Sequence, residues 1–164
     1  MQSYSKNSFN LFTPKETPAM DFETPFSIAG IVAMIGWLCL LFSPLIPKWA
    51  DWIAGMVLPI ILCLGYVILL IIPPSDSAGG FGTLADVMVL FSYEQAALAA
   101  WVHFLAFDLF IGAWVCRTAR AEGVSFWFTA PCLPVVFLFG PAGLLAFQVI
   151  RAVRNKTIRA SISA

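Results

Sequence analysis

Four long apolar runs separated by short polar links organise the chain. They cover about Pro25–Ser43, Trp52–Ile72, Tyr93–Cys116 and Ser125–Ile150. At a rise of about 1.5 Å per residue, each helix comes close to, or exceeds, the ~30 Å of a bilayer's hydrocarbon core. Their ends carry stop signals. Pro25 suits a first helical turn, and Pro44 with Pro47 ends the first run. Lys48, Trp49, Asp51 and Trp52 read as an interfacial link with tryptophans at headgroup depth. Pro59 predicts a kink within the second run, which stops at Pro73-Pro74 before a Gly/Ser-rich link. Leu84–Phe91 is apolar but too short to cross, which predicts a short interfacial helix or a re-entrant piece leading into the third run. Glycines at Gly30, Gly36, Gly55 and Gly65 predict close helix packing. The fourth run is interrupted by Pro131, Pro134 and Pro141. At Phe139-Gly140-Pro141-Ala142-Gly143 a plain helix cannot continue, and the Phe137 carbonyl loses its usual N–H partner. The pattern therefore predicts an all-α integral membrane four-helix bundle with a proline-broken fourth helix. A polar N-terminal segment, residues 1–24, precedes a single four-span domain, 25–150, and a basic tail, 151–164, follows it.

Composition agrees: 60% of the 164 residues are hydrophobic and only 11% charged, against about 25% charged in soluble domains. Net charge is zero, which removes any electrostatic case for nucleic acid. Cys39, Cys63, Cys116 and Cys132 lie in or beside apolar runs without a CxxC, so they read as small hydrophobes. No signal-peptide or transit-peptide pattern opens the chain, which points to a bacterial plasma membrane. An even number of spans puts both termini on one side. The termini hold Lys6, Lys15, Arg151, Arg154, Lys156 and Arg159, against Lys48, Arg117 and Arg120 in the opposite links. That balance predicts cytoplasmic termini.

Candidate chemistry concentrates in the third run, which holds the only histidine, His103, and Asp108 close to its middle. A charge at that depth costs about 2.5–3.5 kcal/mol on insertion scales, so each group needs a partner or a use. The two lie five residues apart, about 140° around a helix and roughly 7.5 Å along it. They cannot bond each other directly; they either flank one substrate or face two different neighbours. Cost predicts that both face the protein interior. Trp101, Phe104, Phe107, Phe110 and Trp114 are candidates for lining an apolar, flat-walled groove. The structural alternative for His103 is a hydrogen bond to a neighbouring carbonyl, and for the aromatics it is packing.

Absent motifs narrow the field. A single histidine removes bis-histidine haem and histidine-rich di-iron clusters within one chain, and no metal site or cofactor is expected. Neither a dinucleotide fingerprint, a P-loop, a nucleophile elbow nor an HExxH motif is present. Redox-neutral acid–base chemistry on a lipid-soluble molecule, proton-coupled transport, and binding or assembly remain.

The combination Ala100-Trp101-x-His103, Leu105-Ala106-x-Asp108-Leu109-Phe110, Pro131-Cys132-Leu133 and Gly140-Pro141-x-Gly143 resembles the abscisic-acid-deficient-4-like family of small membrane proteins. The clear resemblance covers about Ala99–Val153; the first two runs agree in hydropathy. Plant members of that family are required for making neoxanthin from violaxanthin. The resemblance implies carotenoid-linked membrane chemistry and an apolar carotenoid or related isoprenoid ligand. Turning an epoxide end-group into an allene is an isomerisation that needs an acid at the oxygen and a base at the polyene. A neutral Asp108 as acid and a neutral His103 as base would fit, their spacing serving two separated atoms. The alternatives are a non-catalytic carotenoid- or retinoid-binding or pigment-protein assembly factor, with a pigment protein as partner, and a small proton-coupled transporter working as a homo-oligomer.

Overall fold

The computed structural model describes residues 21–72 and 78–162, with side chains as far as Arg154. The polar segment through residue 20, with Lys6 and Lys15, and the Pro73-Pro74 stop lie outside the described residues. The chain is helical: α1 Glu23–Leu41, α2 Pro47–Trp52, a π-helical turn Ile53–Val57, α3 Leu58–Ile71, α4 Leu84–Leu90, α5 Glu94–Ala121, α6 Phe126–Thr129, α7 Cys132–Phe139 and α8 Pro141–Ile162. Among the described residues three helices are long and apolar enough to cross a membrane: Glu23–Leu41, Pro47–Ile71 and Glu94–Ala121. The protein is thus an all-helical membrane protein.

Helix α5 is the axis. About half of its apolar stretch is buried, against 28% for each of the other two long helices. The first long helix, α1, runs parallel to it, with Phe26 stacked on Trp101 at one end and Trp37 against Gly112 further along. Close approach depends on missing side chains. A Cβ on Gly36 would come within 2.5 Å of Leu109, and one on Gly112 within 2.8 Å of the Trp37 ring. Gly30 and Gly65, expected as packing positions, have nothing within 4 Å of where a Cβ would stand.

The second long helix returns antiparallel to α5. The kink expected at Pro59 is resolved one turn earlier: Leu58 N–H bonds the Ile53 carbonyl in an i→i+5 turn, which absorbs the hydrogen bond that proline cannot donate. At the far end of α3, Gln95 Nε2 donates to the carbonyls of Leu69 and Ile72, both at 2.7 Å. Those helix-end acceptors would otherwise be unmet in lipid. Helix α4 is the expected short piece, with no buried residue, and opens on a capping box between Thr83 and Asp86.

The fourth run departs from expectation. It is not a fourth long helix in a four-helix bundle but a half-length helical hairpin. Thr129 lies beside Ser43, Cys116 and Ala119, near the Arg120 end of α5. From there α7 runs back along α5 only as far as Asp108, where Gly140 turns the chain. Helix α8 then retraces the path: Phe147 packs edge-on against Trp114, and Arg151 reaches Glu122. The turn is so sharp that a Cβ on Gly143 would fall 2.3 Å from the Val136 backbone nitrogen. In a continuous helix those residues would be about 10 Å apart along the axis.

The start of α1 lies by Glu94, at one end of α5, whereas Arg151 and the rest of α8 lie at the other. Among the described residues the hairpin enters and leaves at the same end of α5, so it does not count as a fourth long helix. That end carries two ion pairs, Asp51–Arg120 and Glu122–Arg151. Arg151 is the clasp that closes α8 onto the α5–α6 link.

Candidate functional site

Asp108 sits where α5 meets the hairpin tip. It is buried, with 5% of its surface exposed. Its Oδ2 has no hydrogen-bond partner, while its Oδ1 lies against Gly140, 2.5 Å from where a Cβ would stand. Gly140 has φ 25° and ψ −84°, a left-handed conformation that glycine alone adopts cheaply. The local sequence explains the tip. Helix α7 ends at Phe139 with Gly140 N–H bonded to the Val136 carbonyl. Pro141 has no N–H to continue the ladder and is pre-set to begin a helix, so α8 starts there. The break expected at Pro141 therefore lies at the level of Asp108. The side chain of Asp108 adjoins the N-terminal end of a 22-residue helix, a place that favours a polar or anionic group.

A second orphaned group shares this neighbourhood. Trp37 Nε1 is buried without a partner. The far edge of its ring contacts Gly112, one turn beyond Asp108 on α5. Its face meets Phe137, three residues before Gly140, edge-on at 5.4 Å. Trp37 and Phe137 also line an apolar groove of about 400 Å³ between α1 and α7. One signal in the sequence bears on Trp37. Trp49 and Trp52 fit the headgroup belt, but a tryptophan deep inside a span carries an N–H that lipid cannot satisfy.

His103 does not join this site. It is exposed, on the α3 side of α5, in ring contact with Tyr66 at 5.5 Å and Phe107 at 4.6 Å. The expectation that both ionisable groups face inward thus holds for Asp108 and fails for His103. The angle of about 140° between them sends one to the hairpin and the other to the lipid-facing side. Of the two arrangements open from the sequence, two different neighbours is the one found.

The five aromatic residues divide as well. Trp101 stacks on Phe26 and Phe104. Phe107 and Phe110 line a separate groove of about 350 Å³ with Pro59 and Cys63 of α3. Trp114 packs edge-on to Phe147 beneath the Arg151 guanidinium. They surround α5 rather than lining one groove. Among the described residues no group of three or more His, Cys, Asp or Glu is placed to hold a metal ion.

No curated protein and no solved structure matches the chain. The sequence model of the ABA DEFICIENT 4-like family matches residues 24–147, a stretch running from α1 through the hairpin tip into α8. Asp108 and the GPxG turn that meets it both lie within that match, and the chain belongs to the ABA DEFICIENT 4-like family.

Proposed function

We propose that this protein acts on an oxygen-bearing end-group of a carotenoid or related isoprenoid, as a redox-neutral acid–base isomerase in which Asp108 moves the proton. The family supports a carotenoid-related membrane protein. The observation that carries the reading is the buried, unpartnered Oδ2 of Asp108 against the strained Gly140 turn. Keeping a carboxyl there costs stability in any membrane protein, and backbone strain concentrates where it serves a site.

The step balances with this one residue. The carboxyl gives its proton to an epoxide oxygen, the C–O bond opens, and a hydroxyl forms. The carboxylate then takes the proton released from the neighbouring polyene carbon as the allene forms. Nothing is oxidised or reduced, and Asp108 ends as it began. His103, on the other side of α5, is not needed for this balance. The termini and surrounding lipid take no part in the chemistry.

The test is conversion of a supplied epoxy-carotenoid by the purified protein in lipid nanodiscs, followed by chromatography. Asp108→Asn keeps shape and hydrogen bonding but removes the titratable proton; it should abolish conversion and leave the fold intact. An Asn variant with wild-type turnover would overturn the reading. A binding or assembly role without turnover is the second reading, favoured by the separation of His103 from Asp108. It requires pigment retained by the protein and recovered unchanged.

A further inference from the structure

We infer that the groove between α3 and α5 is a binding site for an anionic phospholipid, with an acyl chain along the groove and the phosphate on the Arg117 guanidinium at its mouth. The site lies on the α3 side of α5, away from Asp108, and does not rest on the reading of that carboxyl. Two contacts place cation and groove together. Arg117 Nη1 lies 2.7 Å from where a Cβ on Gly55 would stand, and its Cζ is 5.9 Å from the centre of the Phe110 ring. Gly55 and Phe110 both wall the groove, so the guanidinium rests across one end of it.

Arg117 lacks an anion. Among the described residues the two ion pairs use Arg120 and Arg151, and Arg117 has neither an ion pair nor a hydrogen bond. It stands one turn before Arg120 on α5, about 4.5 Å nearer the middle of the span. A guanidinium at that depth is costly unless its head reaches an anion or water. Lys48, Arg117, Arg120, Arg151 and Arg154 share that end with only Asp51 and Glu122, an excess of three positive charges among the described side chains. Both carboxylates are held by other arginines, so the anion for Arg117 comes from outside the protein. A phosphate fits, because two guanidinium N–H groups can donate to two of its oxygens in parallel.

The groove supplies the apolar half. Met56, Pro59, Ile60 and Cys63 face Phe107 and Phe110 around about 350 Å³. From Gly55 to Cys63 it runs roughly 12 Å along the helix. Its rim is open to the lipid, with Met56 54% and Phe107 52% exposed. None of its lining residues is charged, so hydrocarbon fills it and the one cation in contact is at the Arg117 end. A zwitterionic headgroup would bring its own cation to Arg117; an anionic one does not, and basic sites beside helices select such lipids. The other apolar groove is the natural control, since α1 and α7, which bound it, contain no lysine or arginine.

The experiment is native mass spectrometry of the full chain in detergent, titrated with phosphatidylglycerol or phosphatidylcholine of identical acyl chains. The first phosphatidylglycerol should bind about fivefold more tightly than the first phosphatidylcholine, the effect of one basic residue. Arg117→Gln and Arg117→Met both remove the charge, and either folded variant should lose that preference. Arg154→Gln, at the same end but against Gly123 rather than the groove, should keep it. Ile60→Trp, which fills the groove, should weaken both lipids, whereas Leu38→Trp in the α1–α7 groove should weaken neither. Inorganic phosphate at the lipid's concentration should not compete, because it makes no use of the groove. The inference is overturned if the Arg117 variants keep the preference, if Arg154→Gln erases it equally, as on a diffuse basic surface, if Leu38→Trp blocks where Ile60→Trp does not, or if phosphate alone displaces the lipid. Asp108→Asn should bind phosphatidylglycerol like the wild type, so failure of this site and failure of the isomerase reading are separate results.

Discussion

Gly140→Ala is the most direct probe of the hairpin tip. The added methyl meets two penalties. Its backbone would have to hold φ 25°, and left-handed geometry costs an L-residue about 1–2 kcal/mol. Its Cβ would also stand 2.5 Å from Asp108 Oδ1 and 3.4 Å from Cγ. Asp108 is packed on a buried helix face, so relief requires moving α8 or the carboxyl, an overpacking cost of about 1–3 kcal/mol. Together the expected destabilisation is about 2–5 kcal/mol. Unfolding by SDS in mixed micelles, followed by circular dichroism, measures it. A double-mutant cycle separates the two parts. In an Asp108→Ala background the overlap vanishes and only the backbone share remains, so the coupling should be about 1–3 kcal/mol. Gly30→Ala in α1 is the control: nothing lies within 4 Å of its Cβ, and alanine should be neutral or stabilising by about 0.5–1 kcal/mol. Gly140→Ala within about 0.5 kcal/mol of wild type, or with the same cost in both backgrounds, would refute the account of the tip.

Further outcomes follow from the same geometry. Gly143→Leu should open the hairpin, because a Cβ there meets the Val136 backbone at 2.3 Å and backbone cannot swing aside; an unchanged exchange rate for amides of α7 and α8 would contradict it. The Glu122 carboxyl is held below its ordinary value of 4.5 by its hydrogen bonds from Arg151. A depressed folded value means that the contribution is full above the unfolded value and is lost as pH falls through the folded one. The Tm advantage of wild type over Glu122→Gln should therefore be present at neutral pH and shrink below pH 4.5; an advantage that grows on acidification would be wrong in sign. Sidedness is testable with reporters. Lys48, Arg117, Arg120, Arg151 and Arg154 share one end of α5, which the positive-inside rule puts in the cytoplasm. A reporter at Ala164 should then be cytoplasmic and one at the N-terminus on the opposite side. Reporters on the same side would restore a four-crossing chain.

The hydropathy pattern alone determined that this is an all-helical membrane protein; of its four long runs three coincide with the long helices, with ends up to about five residues out, and it identified α4 as a short piece. It did so because in lipid each backbone N–H must be satisfied within its own segment, so a long apolar run has few alternatives to a helix. An enclosed third run follows if His103 and Asp108 both face inward; α5 is indeed the most buried of the three long helices, although His103 itself is exposed. Proline chemistry located the break at Gly140-Pro141 for the same local reason. Direction after the break was not legible. A proline says that a helix stops, but whether the chain continues across or turns back depends on what the next helix packs against, here Val136 on Gly143 and Glu122 on Arg151. That one decision made the fourth run a hairpin rather than a fourth long helix among the described residues. Helical spacing gave the angle between His103 and Asp108 but not which side faced protein, since α5 is apolar around most of its circumference. That Trp37 packs against Gly112 of α5 and Phe137 of α7 was decided by tertiary packing, because its distance from either along the chain carries no signal. Two small residues make the close approaches possible: Gly112 admits the Trp37 ring beside α5, and Gly140 lets the hairpin tip close on Asp108.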